Sequence, residues 1–315
     1  MLDLWRLQIL KEFADRGTIA ATAQTLGYTP SAVSQQLSAL EREAGAPLLD
    51  RTARTAELTD GGRLLAEHAE QILAMVEAAE SVLAERSDTP SGRVTVTAFP
   101  TAAVAFAPEL AHRLRQHPEM QLVLRQTMES NGARPVSAAE ADIALVDDWT
   151  GGDPGTSAGK LRSIRLLHDP MVLAVPAEHP LADPRRPVEL SHLLDEVWLA
   201  TPHGEPSRHG TNRLLAEVGG SPATAWEFEG FGTILSLVAS GTGIAAVPEL
   251  ALAAAREGLA FRRLPASAPA RDVYALVRAT SVRRPAIDAT LRALETAAAG
   301  IRATLDSALD EDTGV

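Results

Sequence analysis

The 315-residue chain contains no cysteine. That excludes disulfides, thiolate metal sites and a thiol redox sensor, and it fits a reducing compartment. Long hydrophobic runs are missing too. None approaches the roughly 20 residues that a membrane span needs. In the opening stretch, MLDLWRLQILKEFADRG, the charges Asp3, Arg6, Lys11, Glu12, Asp15 and Arg16 interrupt the apolar residues at helical spacing, which excludes an export signal. A cytoplasmic protein without membrane contact is expected. Positive charge is also in short supply, with a formal net charge of −12. Taken over the whole chain, this argues against nucleic acid, whose phosphates call for a basic surface. The deficit is uneven, however. Through Glu57, six basic residues stand against seven acidic ones, so that segment sits at −1. No nucleophile–base–orienter set, His-rich ligand spacing or phosphate loop is present. Gly241-Thr242-Gly243 lies between a helix and a strand, whereas a nucleotide fingerprint needs strand then helix. No enzyme activity, metal or cofactor is predicted.

What is present is a packed-protein composition, 45% hydrophobic, with length for about two domains at roughly 100–200 residues each. Leu4, Leu7, Leu10 and Phe13 recur at helical spacing and stop at Gly17. Thr18 caps a short second helix over 19–26, and Gly27 ends it. Thr29 caps a third helix, with Pro30 at its first position. On that helix Val33, Leu37 and Leu40 share one face, and Ser31, Ser34, Gln35 and Ser38 share another. Two helices joined by a short turn containing Gly27 form a helix-turn-helix. Leu48–Leu49 and 56–58 then read as two short strands around a tip at 52–55, a wing bearing Arg51 and Arg54. Thr59 or Asp60 caps a helix running to about residue 86, roughly 40 Å long. Its stripe of Leu64, Leu65, Ala69, Ile72, Leu73, Val76 and Leu83 is too long for one small domain to cover. A partner helix covering Leu65, Ala69, Ile72, Leu73, Val76 and Leu83 makes a dimer.

The segment SDTPSG, 87–92, reads as a linker. Beyond it strands at 93–98, 121–126, 142–146, 171–175, 197–200, 243–247 and 272–278 alternate with helices at 102–116, 137–141, 234–240 and 284–305. That alternation implies a mostly parallel sheet covered on both faces. The tail LDEDTGV is expected to fray.

With these residues in place, the sequence resembles the LysR-type transcriptional regulators nearly end to end. The specific match is Ser31, Ser34, Leu37, Leu40 and Glu41, then Gly45, Pro47 and Leu48, then Arg51, then Leu58, Thr59 and Gly62. Looser marks are His179-Pro180-Leu181 and the run Val238-Ala239-Ser240-Gly241-Thr242-Gly243-Ile244 before Pro248. Leu49-Asp50 departs from the family, which usually has an aromatic and a carboxamide or glutamate before the arginine. The resemblance implies a two-part α+β chain. A winged helix-turn-helix (1–58) is joined by a linker and dimerisation helix (59–86) and a hinge linker (87–92) to an α/β effector domain (93–305). The effector domain is periplasmic-binding-protein-like (type 2), with subdomain I at about 93–163 and 268–305, subdomain II at about 164–267, and a flexible acidic tail at 306–315. It also implies dimers pairing into tetramers, an inverted-repeat operator in double-stranded DNA, a small-molecule effector, and RNA polymerase as a partner if the regulator activates.

The candidate DNA-binding residues are Thr18, Thr29, Pro30, Ser31, Ser34, Gln35, Ser38, Arg51 and Arg54. Small side chains let a recognition helix sit deep in the major groove, and Gln35 can pair in bidentate fashion with adenine. Thr29 and the helix N–H groups suit a phosphate. Arg51 has two readings, a phosphate contact or a salt bridge with Asp50 or Glu57. In sheets of this kind, ligands bind beyond the carboxyl ends of strands. The candidates there are Pro100, Thr101, Glu129, Ser130, Asp147, Trp149, Pro202, His203, Glu229 and Phe231. Thr101 reads equally as a helix N-cap, and His203 as a ligand contact, a pH-sensitive group or a surface loop residue. The acids Glu129, Asp147, Asp148 and Glu229 disfavour a simple anionic effector. Chain crossings at 159–165 and 265–271 are the expected hinges. The competing reading is a solute-binding or enzymatic protein on the same fold, because fold does not fix function. The segment 2–86 discriminates, since such a protein needs no winged head.

Overall fold

A computed structural model describes residues 1–51, 56–85, 89–127, 132–152, 154, 160–189, 193–216, 224–254, 257–265 and 267–311. The chain forms two compact units, Met1–Ser87 and Asp88–Val315.

The first unit begins with helices α1 (Leu4–Arg16), α2 (Ile19–Leu26) and α3 (Pro30–Ala44). Asp3, Thr18 and Thr29 cap them, each accepting a hydrogen bond from an N–H of the first turn. Strands β1 (Leu49–Arg51) and β2 (Ala56–Leu58) pair antiparallel, with Arg51 opposite Ala56. The wing is therefore present, and its tip at 52–55, with Arg54, lies outside the described residues. Helix α4 follows over Asp60–Glu85. Thr59, not Asp60, caps it: its Oγ1 accepts from Gly62 N at 2.9 Å and donates to Pro47 O at 2.8 Å. Gly62 is required there, because a Cβ would lie 2.1 Å from the Leu48 carbonyl oxygen.

The core of this unit gathers Leu7, Leu10 and Phe13 of α1, Ala23 of α2, Val33, Leu37 and Leu40 of α3, and Leu48 and Leu49. Leu49 fills the place under the wing where an aromatic was expected. Ala66 and Ala69 of α4 are part of the same core, and Leu65 and Ile72 pack against it. This corrects the dimer stripe. Leu65, Ala69 and Ile72 serve the head itself, because α4 lies along α1 over its first half. Leu73 and Val76 are half-exposed, and the Leu83 side chain lies outside the described set. Among the described side chains of α4, the exposed large apolar groups are Leu64 and Met75.

The second unit runs β3 (Gly92–Ala98), α5 (Pro100–Leu114), β4 (Met120–Gln126), α6 (Ala133–Ser137), β5 (Ile143–Asp148), β6 (Leu161–Pro176) and β7 (Val197–Ala200). It continues with α7 (Pro206–Ala216), β8 (Thr224–Glu227), α8 (Phe231–Ala239), β9 (Ala245–Pro248), β10 (Leu259–Arg263), β11 (Ala270–Arg278) and α9 (Pro285–Glu311). The main sheet has the order β10-β6-β11-β5-β3-β4, with β9 also on β6, while β7 and β8 form a parallel pair.

The sheet is mixed, not mostly parallel. β3 runs parallel to β4 and β5, but β11 is antiparallel to both β5 and β6, and β6 is antiparallel to β9 and β10. The cause is the 16-residue strand β6, which with β11 carries the chain between the subdomains. Its partners change from β11 to β9 and β10 at Pro170–Met171, beyond the expected 159–165 crossing, of which 159 lies outside the described residues. Ala270, at the start of β11, stands opposite Pro170, and residue 266 of the expected 265–271 crossing lies outside the described residues. The first half of β6 has exposed Arg162, Arg165 and His168 between its apolar residues, and so gives no continuous apolar run. In the second half Met171, Leu173 and Val175 enter one core and Val172 and Ala174 another, as successive side chains on a doubly covered strand must.

Helix α6 sits four residues earlier than expected, with Pro135 in its first turn where no N–H is missed. Linker residue Gly92 belongs to β3. The tail differs most. Helix α9 continues through Glu311, and Leu309 is 1% exposed in the core of Val172, Leu199, Ile234 and Val247. The acidic letters hid one apolar anchor at helical spacing from Leu305. Residues 312–315 lie outside the described set. Leu309→Ala is expected to lower the stability of the full chain by about 2–5 kcal/mol in urea unfolding; an unchanged midpoint would restore the frayed-tail reading.

Candidate functional site

Two places bring functional groups together, one in each unit. In the first, the two faces of α3 have separate surroundings. Val33, Leu37 and Leu40 are buried. Thr29, Pro30, Ser31 and Gln35 are exposed, Ser34 and Ser38 half-buried. Thr29 Oγ1 accepts from Ala32 N at 3.2 Å and lies 3.0 Å from Ser31 Oγ. Thr18, also exposed, accepts from Ala21 N at 3.2 Å. The capped starts of α2 and α3 thus carry hydroxyls and open first-turn N–H groups, the chemistry that receives a phosphate. Arg51 is in β1 and its side chain lies outside the described residues, as does all of Arg54.

Sequence reasoning missed what holds this face in place. The Glu41 carboxylate, through Oε1, accepts from the backbone N–H groups of Leu48 and Leu49 at 3.0 and 3.1 Å, fixing the start of the wing against α3. Arg6, on α1, donates to Gln36 Oε1 at 3.0 Å and pairs with Glu43, both on α3. Lys11 pairs with Asp15, Arg16 with Glu12, and Arg63 with Asp60. Four cations of this unit are therefore already in internal ion pairs.

The second place is a cavity of about 510 Å³ in the second unit. Its walls include Phe99, Pro100 and Thr101 at the start of α5, Asp147, Asp148 and Trp149 at the end of β5, Thr201, Glu205 and Ser207 around the start of α7, Glu229, Gly230 and Phe231 at the start of α8, and Arg271. Six of the ten predicted residues come together here: Pro100, Thr101, Asp147, Trp149, Glu229 and Phe231. Glu129 and Ser130 lie outside the described residues. Pro202 and His203 are not among the lining groups. His203 is exposed and pairs with Glu227, to which buried Arg208 also bonds at 3.2 Å. Burial draws the Glu227 carboxyl up, but His203 and Arg208 outweigh it and hold it below its ordinary range. Thr101 is not an N-cap. Phe99 occupies that position, and the Thr101 hydroxyl accepts from Arg271.

Arg271 organises the cavity floor. At 3% exposure it donates Nε to Asp169 at 2.8 Å, one terminal nitrogen to Asp147 at 2.8 Å, and the other to Thr101 at 2.9 Å. Its guanidinium carbon lies 4.7 Å from the Phe99 ring centre and 5.5 Å from that of Trp149. Asp169, fully buried, also accepts from Leu250 N at 2.8 Å. Burial pushes its carboxyl up; Arg271 opposes this. Trp149 donates to Asp147 at 3.0 Å, and although it follows β5 its ring lies in the core of Met171, Trp198 and Leu214. Gly210 of α7 admits that ring, since a Cβ would stand 2.9 Å from it. The sequence marked 271 as the end of a hinge segment but carried no sign that its side chain turns into the cavity.

Two family patterns match the chain: "Bacterial regulatory helix-turn-helix protein, lysR family" over residues 4–63, and "LysR substrate binding domain" over residues 87–299. The chain belongs to the LysR family. It is a DNA-binding transcriptional regulator with an effector-binding domain, and not an enzyme. Among relatives of this LysR protein, the "DNA-binding transcriptional dual regulator OxyR" of Escherichia coli K12 is 25% identical over 316 residues, covering 98% of both chains. The "Probable cat1 operon transcriptional activator" of Acinetobacter lwoffii is 28% identical over 256 residues, 78% of this chain and 80% of that one. A full-length OxyR from Pseudomonas aeruginosa, solved as a cysteine-to-aspartate variant, shares the fold at TM-score 0.68 and 20% identity, covering 94% of this chain and 98% of that one. That relative had a cysteine to replace; this LysR protein has none. Among the described residues, no His, Cys, Asp or Glu group could hold a metal, and no helix is long and apolar enough to cross a membrane.

Removing the guanidinium would leave Asp169 buried and unpaired. Arg271→Met is expected to cost about 3–5 kcal/mol in chemical unfolding. A loss below about 1 kcal/mol would mean that the cavity floor tolerates the orphaned carboxylate.

Proposed function

We propose that α3 enters the major groove of double-stranded DNA, with Ser31, Ser34, Gln35 and Ser38 at base edges and Thr18, Thr29, Pro30, Arg51 and Arg54 along the backbone. The division of α3 into a buried face and an exposed, small, polar face carries this reading. Small side chains allow close approach, and a glutamine on that face suits adenine. A head of this size reads a short half-site, so two heads on an inverted repeat are needed. The dimer contact is assigned to the outer face and later turns of α4: Leu64, Leu73, Met75, Val76 and Leu83. Pairing of dimers into tetramers, contact with RNA polymerase in an activating mode, and a cytoplasmic location complete the proposal. The cavity beneath Thr101, Trp149, Glu229 and Phe231 is assigned to a small-molecule effector. The effector works by binding one closure state of the two subdomains better than the other, since equal affinity would shift nothing.

Gln35→Ala should change base preference by ~1–3 kcal/mol at one operator position while the unfolding midpoint stays put. Binding every operator variant as the parent does would refute the assignment of that face. The paired state of Arg6, Lys11, Arg16 and Arg63 makes a second expectation. Two arginines per head give about four phosphate contacts per dimer, hence a slope of roughly −4 in log affinity against log salt. A slope near −10 would require cations beyond Arg51 and Arg54.

A further inference from the structure

We propose that the effector of this cavity carries a cationic group, an ammonium or a guanidinium, seated against Glu205 and Glu229. The inference rests on the effector-site reading above and adds the chemical class of the ligand.

The argument starts from what an anion would find. Arg271 is the one cation among the described lining residues. Each of its three nitrogens already donates, to Asp169, Asp147 and Thr101, and aromatic rings lie beside the guanidinium. Those bonds use three of its five N–H groups and set two carboxylates against it, so an anionic ligand would meet a guanidinium whose charge is already answered by Asp169 and Asp147.

Four carboxylates line the same space. Two of them are satisfied: Asp147 by Arg271 and Trp149, Asp148 by Thr150 and Gly152. Glu205 and Glu229 are different. Among the described residues no cation pairs with either, and Glu205 meets the Ser207 hydroxyl only at 3.5 Å. Glu205 immediately precedes α7, and Glu229 lies two residues before α8. Helix starts favour negative charge, which offers a purely structural role. A carboxylate neutralised in that way would titrate low. Burial and the charge of Glu229 instead push Glu205 up. With no described cation at either Glu205 or Glu229 on this wall, a ligand cation would supply the missing partner. Phe231 lines the same wall and gives an organic cation an aromatic face.

The test uses the full chain and three probes with one ring and different charge: benzylamine, benzyl alcohol and benzoate. Calorimetry is expected to show the amine binding at least tenfold tighter than the alcohol, with benzoate weakest. In a Glu205→Gln/Glu229→Gln double variant, the amine should fall to the level of the alcohol. Benzoate binding as tightly as benzylamine, absence of amine binding, or an amine preference that survives in the double variant each overturns the proposal. Thr150→Trp, which adds bulk from an exposed lining position, separates this from the underlying reading. If amine binding persists undiminished there, the cavity itself is the wrong site. If all three probes weaken together, the site stands and the order of the charges in the parent decides the class.

Discussion

The buried pair of Arg271 and Asp169 is the interaction on which the second unit's arrangement depends. Two charges removed from water cost several kcal/mol each before their attraction is counted, and here the cost is met only because every arm of the guanidinium has an acceptor. Those acceptors lie 102, 124 and 170 residues away in the chain. One side chain thus ties the start of α5, the end of β5 and strand β6 to β11. An apolar cluster of equal volume would stabilise about as well, but it would accept many relative positions. Directional bonds to Thr101 and Asp147 accept few. Trp149 then stands beside the guanidinium with its ring in the second subdomain's core, and the cavity's shape follows from that placement.

The DNA-reading head applies the opposite use of charge. Two of its cations hold helices in place, Arg6 tying α1 to α3 and Arg16 bonding along α1. In the proposed complex, general attraction to phosphate would be weaker for it, and the polar atoms of α3 would carry more of the recognition. In an acidic chain this division would keep non-specific DNA binding low and leave the side chains proposed to face the groove uncovered.

Most of the head was legible in the sequence, because its signals are local. Caps at Thr18 and Thr29, glycines at 17, 27 and 45, and the face of Val33, Leu37 and Leu40 each concern residues a few positions apart. The long strand β6 was half legible: MVLAV is a continuous apolar run, whereas LRSIRLLHDP is half-exposed and resembles a loop. α7, β8 and β10 were not anticipated at all. The cavity showed a similar split. The loop after a strand pointed to Asp147 and Trp149, and the segment before the 234–240 helix to Phe231, since topology places them. Arg271 acts through partners distant in sequence, and no periodicity reveals such contacts, while Glu205 and Ser207 line the cavity from the start of α7, which was not anticipated. The dimer stripe failed in part for a related reason. A helical stripe shows that a face is covered, not by whom, and α1 of the same unit claimed Leu65, Ala69 and Ile72.

The last turns of α9 carry a mechanical consequence. Two bodies joined only by a pair of neighbouring strands can swing about that line with little resistance. Here a rigid rod is fixed off the line at both ends. Ile287, Leu291 and Leu294 anchor it in the first subdomain's core, while Leu309 and the Arg302–Glu249 ion pair, at 2.6 Å, fasten it to the second. A strut placed in this way removes the free swing and leaves twisting or sliding along the rod as the soft motions. A swing of one subdomain about the paired strands would have to displace Leu309 or the Arg302–Glu249 pair.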